Sequence, residues 1–304
     1  ICDIADLHNA DVVIVAGDLF DTFNPPVEAI DLLYKTLKRL TNNGKRPVIA
    51  IAGNHDSPDR IDAPNPLARE CGILFVGNPD VTIPKMTIEN GFEIVASENG
   101  FIAIQLPQYN FPIRIITTPY ANEQRLKTYL GAENKEAQLN QLLQESWAAL
   151  ANTYCDDQGV NILTTHLYML KRGGEILEEP DGEKPLRIGN ADIVYTDCIP
   201  HQIQYSALGH LHRFQNIGGH PSPVVYSSSP LSYSFAEAGQ EKKVLLIDAN
   251  PNQAVTFSAI PLQSCRVLHR KRFYAIDDAI CWLLTNLYCL VELTLVSNTF
   301  LGTQ

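Results

Sequence analysis

Four apolar runs in this 304-residue chain each stop at residues able to hold a cation, and that recurrence limits the fold more than any other feature. Val12-Val13-Ile14-Val15-Ala16 leads into Gly17-Asp18-Leu19-Phe20-Asp21, and Val48-Ile49-Ala50-Ile51-Ala52 leads into Gly53-Asn54-His55-Asp56. Val160 to Thr165 ends at His166, and the run from Ile203 to Leu208 ends at Gly209-His210-Leu211-His212. Short apolar runs bounded by turn residues read as buried strands. Between the first two, Asn24-Pro25-Pro26 starts a helix with Val27, Ile30, Leu33, Leu37 and Leu40 on one face, and Asn42-Asn43-Gly44 stops it. Strand, helix and strand with polar turns at the strand ends make an α/β pattern. In open α/β sheets ligands bind beyond the carboxyl ends of the strands, so residues far apart in sequence converge there.

Elsewhere, residues 1 to 8 read as a helix end followed by the turn residues Asn9-Ala10-Asp11, and short strands dominate from about 73 to 120. Lys135 to Tyr154 has the period of an amphipathic helix carrying Leu139, Leu142, Leu143, Trp147 and Leu150. Lys171 to Lys184 is rich in Gly and Glu and reads as a mobile loop, with later strands near Val224-Val225-Tyr226 and Val244 to Ile247. After Ser264 come a strand (Cys265 to Arg272), a helix (Ala275 to Leu287) and an alternating strand with Val291, Leu293 and Leu295 on one face. So few residues cannot bury an independent core, so 265–304 is expected to open a second domain whose remainder is missing.

The net charge of −11 argues against a surface that grips nucleic acid by bulk charge, although bound divalent ions reverse the sign of a carboxylate-lined pocket. Seven cysteines without a Cys-x-x-Cys pair fit reduced thiols and a cytoplasmic protein. No run approaches the roughly 18 apolar residues of a membrane span.

The donors at the four strand ends mix hard oxygens with imidazoles, which suits manganese, iron or zinc better than calcium. A carboxylate that bridges two ions among Asn and His is what a two-metal hydrolytic centre needs, because it clamps both oxygens of a phosphoester displacement. Gly-Asp-x-x-Asp, Gly-Asn-His-Asp, a strand-end His and Gly-His-x-His resemble the calcineurin-like metallophosphoesterase superfamily. Residues 15–26, 52–58, 207–217 and 227–248, the last with its Ser-Pro-x-x-x-Ser-Phe segment, resemble the SbcD family of nuclease subunits. The resemblance covers about 1–264 well and the tail weakly.

The resemblance implies a metallophosphoesterase fold for residues 1–264, two packed mixed β-sheets flanked by helices, and the start of a small α/β capping domain in 265–304. It implies a manganese-dependent nuclease acting on duplex DNA ends and hairpins, paired with an SbcC-like ATPase subunit and dimeric within a heterotetramer. One metal site would use Asp18, Asn54, His166 and His210, and the other Asp18 and His212. His55 matches the residue that protonates the leaving group or orients the phosphate. Asp21 and Asp56 are expected to cap turns or hold histidine tautomers behind the ligands.

The family also has an Asp-x-His on a first strand, ahead of a helical crossover. Asp6-Leu7-His8 has those letters, but only Asn9 and Ala10 separate it from Asp11, whereas a crossover takes about a dozen residues. Asp6 and His8 are therefore expected to be helix-end residues, with the first strand and its motif upstream of Ile1 and one metal site half built. His201, His220 and His269 lack comparable company, and Ser227, Ser228 and Ser229 lack a nucleophile elbow. Two other functions remain open: a phosphoesterase of small molecules or proteins, disfavoured by Thr22 and Phe23 where protein phosphatases carry Arg and Gly, and a catalytically weak scaffold.

Overall fold

The computed structural model describes residues 1–131, 133–174, 193–263 and 266–298. Three parallel strands, β1 (Val13–Val15), β2 (Val48–Ile51) and β3 (Ile73–Val76), form one sheet in the order β1-β2-β3. The second sheet takes β4 (Met86–Thr87), β5 (Glu93–Glu98), β6 (Phe101–Gln105), β7 (Pro112–Thr118), β8 (Val160–Thr165), β11 (Tyr205–Leu208), β12 (Gln215–Asn216) and β13 (Val224–Tyr226). Its order is β12-β13-β11-β8-β7-β6-β5-β4, with parallel pairing at β7-β8-β11-β13 and antiparallel pairing elsewhere. This sheet is mixed as expected, whereas the first is wholly parallel among the described residues. The α-helical crossover of β1 to β2 explains that, because a helix returns the chain to the same edge in the same direction.

Alternation along the strands builds the layers. Ile49, Ile51, Leu74 and Val76 point between the sheets to meet Ile102, Ile104, Ile113, Ile115 and Ile162. Val48, Ala50, Ile73 and Phe75 point the other way, onto Leu37 and Leu40 of α2 (Val27–Leu40). On the far face, Phe101, Ile116 and Leu163 meet Leu139, Leu143 and Trp147 of α6 (Lys135–Tyr154). Buried on both faces, β2, β3 and β8 are uninterrupted apolar or uncharged segments, as two-sided burial requires. Trp147 is 1% exposed and donates its indole N–H to Thr118 Oγ1 at 2.8 Å, so its polar edge is satisfied inside the core.

The remaining elements are small. Helix α1 (Cys2–Leu7) ends at His8; α3 (Pro58–Asp62), α4 (Asn65–Glu70) and α5 (Glu123–Leu126) are short turns of helix, and β9 (Met169–Leu170) pairs with β10 (Val194–Tyr195). Strands β14 (Lys243–Asp248) and β15 (Thr256–Pro261) form a hairpin. In the tail, β16 (Leu268–Phe273) and β17 (Leu290–Leu295) pair in parallel across α7 (Ile276–Thr285), which leaves Ile276, Ile280 and Leu284 exposed. Among the described residues the tail strand spans Leu268–Phe273; Cys265, where it was expected to begin, lies outside them, as does most of the loop expected at 171–184. No helix among the described residues is long and apolar enough to cross a membrane.

Candidate metal centre

Register places the four motifs side by side. Val15 stands opposite Ala50 and Thr165 opposite Leu208, so the polar turns after β1 and β2, and those after β8 and β11, leave their sheets at the same level. The turn residues are not in relaxed backbone. Asp18 has φ +49° and His210 φ +99°, and for histidine the latter is a conformation that only a well-packed surrounding sustains. Two glycines permit the approach. A Cβ on Gly17 would stand 2.0 Å from His166 Nδ1, and one on Gly53 would stand 2.0 Å from Asp18 Oδ1 and 2.2 Å from Asp18 N.

His166 is 1% exposed, and its Nδ1 donates to the Ala16 carbonyl at 2.7 Å. That bond fixes the proton on Nδ1 and leaves the lone pair on Nε2. Nε2 lies 3.0 Å from Asn54 Oδ1 and 3.2 Å from Asp18 Oδ2, and His210 Nδ1 lies 2.9 Å from the same Asn54 oxygen. Carboxylate and amide oxygens accept and do not donate, so the His166 Nε2 lone pair faces the Asp18 and Asn54 oxygens with no hydrogen between them, whereas His210 Nδ1–H can donate to Asn54 Oδ1. That His166 contact calls for a positive charge, either a second proton on the imidazole or a bound divalent ion. Asn54 is the joint of the group, for no three His, Cys, Asp or Glu side chains among the described residues are arranged to grip an ion without it. His210 Nε2 is buried and has no hydrogen-bond partner among the described residues, so this ring's polar contact is made through Nδ1. Oxygen and imidazole donors at these positions fit a divalent transition metal.

The electrostatics agree with a cation-seeking site. Burial would raise the Asp18 carboxyl, but the adjacent His166, assisted by His55, holds it well below the ordinary carboxylate range. Burial would lower His166, but Asp18 lifts it above its usual value. Burial, reinforced by His166, pushes His210 down to about 3, so that imidazole is neutral and its lone pair is available.

The expected neighbours take distinct positions. The His55 backbone N–H donates to Asp18 Oδ1 at 3.1 Å, and its ring Nδ1 donates to the Asp21 carbonyl at 2.9 Å, leaving Nε2 as the lone-pair atom of a side chain 21% exposed. The backbone oxygen of Asp21 thus holds this imidazole, while its carboxylate stands 3.9 Å away. Asp56, fully buried, accepts the N–H groups of Gly53 (2.7 Å), Leu19 (2.9 Å) and Phe20 (2.9 Å) and so ties the turns after β1 and β2 together. His212 stands apart from the Asp18–Asn54 contacts, with its Nδ1 3.2 Å from Glu237 Oε1. Asp6 bonds Arg46 at 3.1 Å, at the end of α1, as the sequence spacing led us to expect.

Sequence reasoning missed three residues. Arg125 donates to the carbonyls of Gly53 (2.9 Å) and Asp56 (2.7 Å), pinning the turn after β2 from behind. Glu237 and Lys242 form a buried ion pair beside His212. Burial would raise the Glu237 carboxyl, but His212 and Lys242 hold it below its usual value. The signal for Glu237 lay within the 227–248 segment, as an acidic residue in a stretch of small and aromatic ones.

Residues 3–214, which contain every one of the four strand-end motifs, match the calcineurin-like phosphoesterase family. The chain belongs to that family. Metal ions are the working cofactors that membership implies, and the fold is the α/β phosphoesterase fold of mixed strands between helices. The phosphoesterase is a homologue of the SbcD subunit of the SbcCD nuclease. The SbcD of Bacillus subtilis (strain 168) is 34% identical over 278 residues, covering 90% of this chain and 65% of that protein. The SbcD of Staphylococcus epidermidis (strain ATCC 12228 / FDA PCI 1200) is 30% identical over 266 residues, covering 85% of this chain and 60% of that protein. The phosphoesterase therefore spans less than two thirds of the length of these relatives.

Proposed function

We propose that this phosphoesterase is the nuclease subunit of an SbcCD-type complex, hydrolysing phosphodiester bonds at the ends and hairpins of double-stranded DNA during recombination, repair and replication. The observation that carries the reading is the convergence of Asp18 Oδ2, Asn54 Oδ1, His166 Nε2 and His210 Nδ1. Similarity to the SbcD nuclease subunits supports DNA as the substrate. These four residues would hold one manganese ion, and Asp18 and His212 are the candidates for a second. Bound divalent cations supply a water of lowered pKa and charge stabilisation at the phosphoryl oxygens.

The protein's own groups do the rest. The turn after β2 presents His55 at the rim of the centre, with Nδ1 held on the Asp21 carbonyl. Nε2 is then the atom that, in the imidazolium form, gives its proton to the leaving oxygen or donates a hydrogen bond to a phosphoryl oxygen. Asp56 and Arg125 keep the two turns in register, so His55 and Asp18 move as one unit. Residues 1–264 form the phosphoesterase domain and 265–304 belong to a capping domain. The acidic chain leaves much of the grip on DNA to an SbcC-like ATPase subunit and to a homodimer within a heterotetramer in the cytoplasm.

The test is incubation of the chain with its ATPase partner, Mn2+ and linear or hairpin duplex DNA. Metal-dependent cleavage that chelation stops is expected, and His55→Ala should abolish it with Mn2+ still bound. Hydrolysis of p-nitrophenyl phosphate with DNA left intact would move the assignment to a phosphoesterase of small molecules.

A further inference from the structure

Outside the Asp18–Asn54 cluster, a group of buried, hydrogen-bonded charges surrounds Glu237, at the end of the 3-10 turn Phe235–Glu237. Glu237 is 0% exposed and Lys242 5% exposed. The Lys242 ammonium has three hydrogens, and three acceptors meet it: Glu237 Oε2, Ser229 Oγ at 2.9 Å and the His212 carbonyl at 3.0 Å. Glu237 Oε1 accepts the Tyr233 backbone N–H at 3.2 Å and faces His212 Nδ1 at 3.2 Å. The Ser229 N–H also donates to the His212 carbonyl, at 3.3 Å. His212 is therefore gripped at both its backbone and its ring by one buried network.

The network has a chemical consequence. A carboxylate paired with an ammonium accepts hydrogen bonds and has none to give, so the His212 nitrogen facing it must carry the proton. We propose that Glu237, locked by Lys242, is a positioning residue that holds His212 in the Nδ1–H tautomer, leaving the Nε2 lone pair as the donor offered to the metal centre. The inference rests on the phosphoesterase reading above for what that lone pair serves, but the tautomer itself follows from the network alone. A buried ion pair is a poor device for stability and a good one for fixing geometry, which is what a ligand imidazole needs. The Ser-Pro-x-x-x-Ser-Phe segment then acquires a role: Ser229 completes the Lys242 cage, and Ser234 Oγ accepts the Ala236 N–H at 3.2 Å to start the turn that carries Glu237.

The test reads the two His212 ring nitrogens in metal-free, 15N-labelled chain by long-range 1H–15N correlation, with His212→Gln giving the assignment. Wild type should show a protonated Nδ1 and a lone-pair Nε2. In Glu237→Gln the charge-assisted bond to Lys242 keeps the amide oxygen on that side, so the amide NH2 turns to His212, giving up the weaker Tyr233 N–H contact, and the pattern should reverse. Calorimetric titration with Mn2+ should then show affinity lowered about 10- to 100-fold, the usual effect of losing a partner behind a metal ligand. A wild-type ring protonated at Nε2 overturns the proposal without any variant, and so does a folded Glu237→Gln whose tautomer is unchanged. The expected tautomers in both proteins, with Mn2+ bound by neither, would leave Glu237's control of His212 standing and overturn the metal-centre reading instead.

Discussion

Replacing Asp56 by alanine should loosen the chain and its metal site together, and the size of the effect can be worked from three bonds. The carboxylate accepts the N–H groups of Gly53, Leu19 and Phe20 at 2.7, 2.9 and 2.9 Å, and alanine supplies no acceptor for any of them. A buried donor left without a partner costs about 1–3 kcal/mol, so the gross loss lies at about 3–9 kcal/mol. Two effects reduce it. Burial raises the Asp56 carboxyl above its usual value, a cost of holding the charge inside that alanine removes, and Leu19 is partly accessible to water. A net loss of about 3–4 kcal/mol is expected. With a urea slope of about 3 kcal/mol per molar for a chain of this size, the unfolding midpoint should fall by about 1 M at unchanged slope. Asp56→Asn keeps one accepting oxygen and should lose about half as much. Urea titration followed by tryptophan fluorescence, with Mn2+ uptake measured on the same samples, gives both readouts. An Asp56→Ala midpoint within about 0.3 M of wild type would refute the view that this carboxylate joins the turns after β1 and β2.

Two further outcomes follow from the same geometry. Gly53→Ala places a methyl group 2.0 Å from Asp18 Oδ1 and 2.2 Å from its backbone nitrogen, so the turn must move as a whole; Mn2+ binding by calorimetry should weaken at least tenfold in a chain that still folds. His210, pushed down to about 3, contributes stability that is complete above pH 6.5 and is lost as the pH falls toward 3, because the unfolded chain takes up a proton that the folded one refuses. His166, held above its usual value by Asp18, slopes the opposite way and contributes fully below pH 6.5. In metal-free protein, the urea midpoint advantage of wild type over His210→Asn should therefore shrink between pH 6.5 and 4, and a gap that stays constant would refute the burial argument.

What the sequence made legible was local. Apolar runs that end abruptly in Gly-Asp, Gly-Asn-His or Gly-His carry their own boundaries, so β1, β2, β8 and β11 and the polar residues at their ends could be found without partners. Helices α2 and α6 were equally open, because a 3.6-residue period over 14 and 20 residues is hard to mistake. Arg125, Glu237 and Lys242 were hidden for the opposite reason. A charged side chain reads as surface unless its partner is known, and these partners are the carbonyls of Gly53 and Asp56 and a histidine 25 residues from Glu237. Asp21 shows a subtler limit, since its backbone oxygen meets His55 Nδ1 and no side-chain pattern reports on that atom.

Asp18 and Asn54 ride on the three-stranded sheet, His166 and His210 on the eight-stranded one, and the ring of His166 reaches back to the Ala16 carbonyl of its neighbour. The centre is thus a rivet through two plates. Apolar packing between the sheets tolerates small sliding, because dispersion has no preferred direction, but a coordination sphere does not. An ion seated there would set the alignment of the two plates to within a fraction of an ångström, and the same rivet would make the chemistry report on any strain that a partner applies to either plate.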